Sequence, residues 1–586
     1  MKRNIKLAVV LVLVAIFACS ALAGCKLLFP SNKHVHSYSN DYEKDDTYHW
    51  KVCTKCEITI NKEVHSYGNW ITDLPATDTT DGHKYKECSK CGNTQEQTIP
   101  ARGQQATGTV DLYAINDFHG AHEKLAQVSG YIAGRLDEGN SVAINSGDMF
   151  QGSIQSNSNY GKLFTECMNV AGFDAFTYGN HEFDWGLDNL RELAANSTTP
   201  FLGANIYNWN ASTKTWGSFA DDLAKQYVIK EMDNGLRVGI IGVIGQDQIT
   251  SISSQLVQTI GFKDPVPIIK TLATELREEQ RCDIVVVSAH VGPQELVGEE
   301  EKNQQPSSSA GLNNYVDAVF CAHTHYQQNY LVDGIPFIQG GSKGNYVSHV
   351  RLSVDSNGNV NCDAHENTYY SNLKDVNTAT KNTVQAKINE SNALINDEAN
   401  QQIATLSGSL NQGTGVPRLV CHAIAEYAKT AGYSIDVAIC NNARSSLSGT
   451  VTYSDLYEAL PFDNVIYIAK VSGADIYNEL VKYSGQSMWR VSTAKIENSS
   501  SKYYTIAVID YLLYHQNSSR NYNYFASAFK SGFTPVALTK AGVDLYHYRL
   551  ITRDFMKAQL GTINTSLYTG TNNHTDTSKL TQAVTF

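Results

Sequence analysis

Short apolar runs rich in β-branched residues recur through the middle of the chain, and each breaks off into a Gly-flanked polar segment. DLYAIN, SVAINSG, DIVVVSAH and VDAVFCAH have the length and unbroken apolar character of strands buried on both faces, the pattern of a parallel α/β sheet. From Ser371 to about Gly413 the composition shifts to Asn, Gln, Ala, Lys and Glu, with Val376, Val384, Ile388, Ile395, Ile403 and Leu406 at roughly helical spacing. Neither Gly nor Pro interrupts that run before Gly408, so it predicts one long connecting helix over 371–413. Further on, VPRLVCHAIAEYA predicts an amphipathic helix from about Arg418, and SIDVAIC a strand running into NNARSS. ARGQQATGT, at 101–109, lacks apolar periodicity and reads as a linker, so a large domain is expected to begin near Val110.

The N-terminus follows a different logic. Lys2, Arg3 and Lys6 precede an apolar stretch from Leu7 to about Leu22 that ends in LAGC. A short charged segment followed by a short apolar one is an export signal rather than a membrane span. LAGC resembles the bacterial lipobox, which implies cleavage after residue 24 and a diacylglyceryl anchor on Cys25, with 25–33 as tether. The protein is then expected to be an exported lipoprotein on the outer side of the cell membrane. A plain signal peptide, with Cys25 an ordinary residue, is the alternative.

Cysteines mark a third region, 34–100. Of the 12 in the chain, Cys53 with Cys56 and Cys88 with Cys91 form two CxxC pairs offset by 35 residues, each accompanied by an HSY element, at His36 and His65. This is an internal repeat, similar to small Cys/His repeats of Gram-positive surface proteins. Cys53, Cys56, His36 and His65 would suit one tetrahedral structural zinc, with Cys88 and Cys91 as the second pair. Disulfides in an oxidising compartment, or a spacer without either, are the other readings. The later cysteines lie in apolar or helical stretches and read as buried small hydrophobes, Cys321 being a remote candidate as a soft ligand because it precedes His323 by two residues.

At 586 residues and 42% hydrophobic, the chain is long enough for two ordinary cores plus small modules. Its formal charge of -12 excludes a surface that attracts nucleic-acid polymers, so any phosphate must be captured locally by metals and arginines.

The polar segments that end the apolar runs supply the chemistry. NDFHG holds Asp117 and His119, SGDMFQG holds Asp148, GNHEFD runs from Asn180 to Asp184, SAHVG holds His290, and CAHTH holds His323 and His325. Carboxylates, imidazoles and a carboxamide on loops at the ends of buried strands read as a two-metal hydrolase site. Asp148 is the candidate bridge, with Asp117, His119 and His325 completing one metal and Asn180, His290 and His323 the other. These ligands suit zinc, manganese, iron or cobalt alike.

In this order the motifs resemble the bacterial 5′-nucleotidase and 2′,3′-cyclic phosphodiesterase group of calcineurin-like metallophosphoesterases, from about Asp111 to the C-terminus. FLGANIYN, VGIIGVIG and FKDPVPIIKTLATELRE belong to the same likeness, while Ala322 stands where the family usually has Gly. The resemblance implies an αββα metallophosphoesterase sandwich over 110–370, a connecting helix, and an α+β substrate-recognition domain over 414–586. It implies a metal-bridging hydroxide as nucleophile, His181 as transition-state stabiliser and proton donor to the leaving oxygen, and Asp184 as the residue orienting it. Asp184 would equally suit a helix N-cap. In the last domain the resemblance assigns Arg418 and Arg444 to oxyanion capture, Phe462 and Tyr511 to stacking on a base, and Asn464 to the PFxN element; Phe462 and Tyr511 would also suit a core. Two departures bear on substrate: NNARSS is shorter than the family's Gly-rich loop, and LLYHQNSSRNYNYF replaces its GGDGY-like ribose loop. The expected partner is a nucleotide, nucleotide diphosphate or cyclic nucleotide, with a different organic phosphate as alternative and a surface-adhesion role as a third reading.

Overall fold

The computed structural model describes residues 35–569, apart from 69–70, 75–76, 78, 100, 102–105, 301–302, 483–485, 491–495, 518, 544 and 560. The signal segment and Cys25 therefore lie outside the described residues. The chain divides into one unit ending at Gly103 and a second from Gln104 onward.

In the first unit, two three-stranded antiparallel sheets repeat one plan: Glu43–Lys44, Tyr48–Val52 and Thr59–Val64, then Ile71–Leu74, Gly82–Glu87 and Thr94–Ile99. Each HSY tyrosine makes an isolated bridge to the first Cys of its CxxC pair, Tyr38 to Cys53 and Tyr67 to Cys88. Among the described residues of this unit the buried side chains are His49, Cys53, Lys84 and Cys88. An apolar core is missing from that set.

The second unit opens with two six-stranded sheets packed face to face. One runs Phe201–Leu202, Ala175–Thr177, Ser141–Asn145, Gly108–Ile115, Tyr346–Val354, Val360–Tyr369, with its first four strands parallel. The other runs Tyr227–Glu231, Arg237–Ile244, Ile284–His290, Ala318–Cys321, Ile335–Gly340, Gln327–Val332, with four parallel strands in the middle. Strand alternation sorts the side chains. Val110, Leu112 and Ala114 meet Val238, Ile240, Ile284 and Val286 between the sheets, whereas Tyr113 and Ile115 face the helix layer that includes His122–Asp137 and Lys162–Ala171. On the outside of the other sheet, Val285 and Val287 pack with Ile269, Leu272 and Leu276 of helix Pro265–Glu278. Both faces of each central strand are buried, which explains the unbroken apolar runs. The result is the αββα sandwich.

The connecting helix is Thr378–Ala399, begun by the Asn377 side chain accepting from Thr380 N–H. Its Val384 and Ile388 join the core of the first sheet. It stops short of the expected end. Ile403 and Leu406 belong instead to strand Gln402–Leu410, which pairs with Leu447–Thr452. Apolar spacing of three residues could not tell a last helical turn from an edge of this sheet; long-range pairing decided it.

Helix Gly415–Thr430 begins three residues earlier than expected and is buried nearly all round through Ala425, so it is a central helix rather than an amphipathic one. A five-stranded sheet lies against it, in the order Gln486–Arg490, Val437–Asn441, Tyr503–Ile509, Ile466–Ser472, Val536–Ala537. This α+β domain touches the sandwich directly: Ile154 joins its core, and Asn157 Nδ2 donates to the Pro461 carbonyl at 2.8 Å.

Candidate active site

Every candidate ligand sits at or just beyond the carboxyl end of a parallel strand, where the sheets of α/β folds leave their crevice. Gly108–Ile115 delivers Asp117 and His119, Ser141–Asn145 delivers Asp148, and Ala175–Thr177 delivers Asn180 and His181. Ile284–His290 and Ala318–Cys321 deliver His290, His323 and His325. Five of these residues, Asp117, His119, Asp148, His323 and His325, have left-handed backbones with φ between 47° and 71°. Such conformations cost non-glycine residues free energy and persist where surrounding contacts enforce them.

Those contacts are visible. Glu182, fully buried, accepts from the backbone N–H groups of Asp148, Met149 and Gly179, each at 2.8 Å. It ties two ligand loops together. Gly179 permits this packing, since a Cβ there would lie 2.2 Å from Asp148 Oδ1. Asn116 donates to Asp117 Oδ2 at 2.6 Å and to the Gly341 carbonyl at 2.8 Å. Glu182 and Asn116 lie within the GNHEFD and NDFHG motifs, but a carboxylate or carboxamide that braces neighbouring loops has no local signature.

The seven candidate ligands converge. Asp117, His119 and His325 form one cluster, and Asp148, His290 and His323 another, each with donor atoms within 4.8 Å of one another. His119 Nε2 and His325 Nε2 are 2.8 Å apart, and Asn180 Oδ1 lies 3.0 Å from His323 Nδ1. Asp148 Oδ2 stands between the clusters, 3.2 Å from His290 Nε2 and 3.8 Å from His119 Nε2. His290 Nδ1 is 2.7 Å from the Ser146 carbonyl, which fixes that nitrogen as the N–H donor. Its buried Nε2 is left without a hydrogen-bond partner. That buried nitrogen, aimed into the site among carboxylates and further imidazoles, fits a site for divalent cations.

Electrostatics agree with a site built for positive charge. Burial alone would raise the Asp148 carboxyl, but His290, His181 and His119 hold it well below the carboxylate range. Burial disfavours the charged form of His290, yet Asp148 outweighs it and lifts the imidazole to about 10. For His181, burial is likewise overcome by Asp184 and Asp148, so its pKa is raised.

His181 Nδ1 lies 2.8 Å from Asp184 Oδ2 within the turn His181–Trp185. Asp184 is not the cap of the following helix, whose N-cap is Trp185. The other face of His181 stacks on Phe462 of the last domain, with centroids 5.3 Å apart and planes at 26°. Arg444 continues the stack, its guanidinium carbon 5.1 Å from the Phe462 ring. A cavity of about 830 Å³ results, lined by Asp148, His181, Arg444, Phe462, Asn464 and Tyr511 among others. Phe462 and Tyr511 also pack against the core of the last domain. Asp510 lines the same cavity, its carboxyl pushed up to about 7 by burial, with Asp184 and Asp463 adding to the effect.

Arg418 is a correction. It is buried within helix Gly415–Thr430, donates from Nη1 to the Tyr568 carbonyl at 3.0 Å, and is absent from the cavity lining. The arginine that serves this region is Arg549. Fully buried, it donates to the Leu460 and Phe462 carbonyls and pairs with Asp463, which fixes the loop carrying Phe462. Cys321 packs in the core behind the site, its thiol raised by burial, and joins neither ligand cluster.

Residues 111–327 match the family model for calcineurin-like phosphoesterase, and residues 395–501 that for the 5′-nucleotidase C-terminal domain. Cell wall protein Lmo0130 of Listeria monocytogenes is 24% identical over 459 residues, covering 65% of this chain and 58% of its own length. An apyrase of Tabanus yao is 25% identical over 454 residues, 66% of this chain and 77% of that enzyme. In fold, the chain is similar to a 5′-nucleotidase precursor from Thermus thermophilus, with a TM-score of 0.59, 16% identity, and coverage of 77% of this chain and 96% of that one.

Proposed function

Given a chain that joins a calcineurin-like phosphoesterase domain to a 5′-nucleotidase C-terminal domain, we propose that the protein is an exported, metal-dependent hydrolase of nucleotide phosphoesters. The observation that carries this reading is the single cavity shared by the ligand clusters of one domain and Arg444, Phe462 and Tyr511 of the other. Asp117, His119 and His325 would hold one cation and Asn180, His290 and His323 a second, with Asp148 serving both. A divalent pair supplies Lewis acidity toward a phosphoryl oxygen and activates water at neutral pH. The chain's own groups supply the rest. His181, with Nδ1 engaged by Asp184, carries its transferable proton on Nε2 and delivers it to the leaving oxygen. Arg444 holds an anionic substituent, and Phe462 and Tyr511 present rings to a base.

The test is phosphate release from AMP, ATP, UDP-glucose, 2′,3′-cyclic AMP and a small aryl phosphate, with the wild type and a Phe462→Ala/Tyr511→Ala variant. At about 1–3 kcal/mol per stacked ring, the variant should raise KM for nucleotides at least about tenfold and leave the aryl phosphate nearly unaffected. Equal losses on both would assign the rings to the core. Turnover of the aryl phosphate with no nucleotide cleaved would favour the non-nucleotide reading, to which the replaced ribose loop points: its Arg520 is bound to the Ile260 carbonyl of the sandwich.

Anchoring through Cys25 belongs to the same proposal, on the strength of LAGC after a charged and apolar leader. Mass spectrometry of the mature N-terminus should find a diacylglyceryl group on Cys25, and Cys25→Ser should leave the membrane fraction. An unmodified Cys25 at an internal position would defeat this part.

A further inference from the structure

The first unit gathers its cysteines and histidines in a way that neither CxxC pair accounts for by itself. His49, His65, Cys88 and Cys91 place one ligand atom each within 4.8 Å of all the others. His65 Nδ1 is 3.2 Å from Cys91 Sγ and 3.4 Å from His49 Nδ1, and His49 Nδ1 is 3.9 Å from Cys88 Sγ. With zinc–sulfur and zinc–nitrogen bonds of about 2.3 and 2.0 Å, donors on a tetrahedral ion stand about 3.3–3.8 Å apart. The spacing fits. The tautomers fit as well: His65 Nε2 lies 2.8 Å from the Asp45 carbonyl, which fixes the proton there and leaves Nδ1 as donor to the cluster. His49 Nε2 faces Glu63 Oε2 at 3.9 Å, leaving its Nδ1 on the cluster side too.

Two thiolates would cancel the charge of a divalent ion, so the closed site could be buried without an unpaired charge. Burial is what the unit shows: His49 and Cys88 are two of the four buried side chains among its described residues. Repeats of about 35 residues are too small to be held by an apolar core, and a metal is the usual substitute. The site crosses between repeats, since His49 belongs to the first and Cys88 and Cys91 to the second.

A second cluster repeats the plan with three ligands among the described residues. His36 Nδ1 lies 3.4 Å from both Cys53 Sγ and Cys56 Sγ. Aligning the CxxC pairs sets Lys84 at the position of His49, so the second repeat offers no imidazole of that kind to a neighbour.

We propose that His49, His65, Cys88 and Cys91 form a closed structural zinc site that staples the two repeats together, while His36, Cys53 and Cys56 belong to a second zinc site. This reassigns His65 from the Cys53/Cys56 pair to the Cys88/Cys91 pair and adds His49. Cys88 and Cys91 are not joined in a disulfide, as the closed site requires.

The experiment uses the full purified chain and a thiol-specific mercurial, with released zinc read by a chromogenic chelator. The phosphoesterase clusters contain no thiol and do not contribute to this signal. Wild type should release two equivalents, one from each site. In a Cys53→Ser/Cys56→Ser background, His65→Ala and His49→Ala should each abolish the remaining equivalent. Because alanine variants could misfold, His49→Cys is added: loaded with cobalt in the same background, it should keep the site and strengthen the thiolate-to-cobalt charge-transfer band. Retention of that equivalent in both alanine variants would overturn the cross-repeat site. So would non-reducing mass spectrometry showing either CxxC pair as a disulfide, or no zinc released from the wild type.

Discussion

Asp148→Asn is expected to abolish phosphoester hydrolysis, by roughly a thousandfold or more, and to cost the protein at least one bound metal equivalent. The substitution is nearly isosteric and keeps an oxygen for the bond from His181 N–H, which Asp148 Oδ1 accepts at 2.8 Å. What it removes is charge. Asp148 is 1% exposed and lies within reach of His290 on one side and His119 on the other. A neutral amide there would leave two cations to face each other with one carboxylate, Asp117, remaining among the proposed ligands. Metal analysis and phosphate release, measured on the same preparation, decide the matter. Wild-type values for both would mean that the cluster is not a two-metal centre.

His181→Ala should do the opposite with the metals and nearly the same with the rate. We expect kcat to fall by roughly 10²–10⁴, the usual contribution of a positioned general acid, while metal content stays unchanged. The loss should shrink for an aryl phosphate with a good leaving group, which needs little protonation. The geometry makes this a sharp test, because His119, Asp148 and His181 also form a three-donor group that could hold an ion. Loss of metal from the alanine variant would identify His181 as a ligand, and its 2.8 Å contact with Asp184 as ligand support rather than proton-donor support.

The stacking of His181 on Phe462 gives these predictions a structural context. It joins the proton donor proposed in one domain to the base platform proposed in the other. Arg549, by binding the carbonyls of Leu460 and Phe462, holds that platform from behind. The sequence points to Arg418 as a substrate residue and gives no sign of Arg549. Both are single arginines in helical stretches, and only their surroundings distinguish a pocket residue such as Arg444 from a core one such as Arg418.

Much of the sandwich was legible because its information is local. A strand buried on both faces must be apolar at every position, and a ligand loop must follow it within a few residues, so Ile284–His290 and its terminal histidine read directly from DIVVVSAH. By itself the sequence therefore determined the parallel strands and the seven ligand candidates at their ends. It also determined the repeat of the CxxC pairs and the helical pattern around Val384 and Ile388. Tertiary structure alone decided which donors meet. His65 lies with Cys88 and Cys91, His49 joins them from a strand that carries no metal-binding spacing, and Ile403 ends in a sheet although it continues a helical rhythm. Glu182 and Asn116 brace the ligand loops through backbone groups, which any sequence possesses. Periodicity reports which face of an element is buried; it carries no record of the partner that buries it, because that partner is chosen by contacts between residues far apart in the chain.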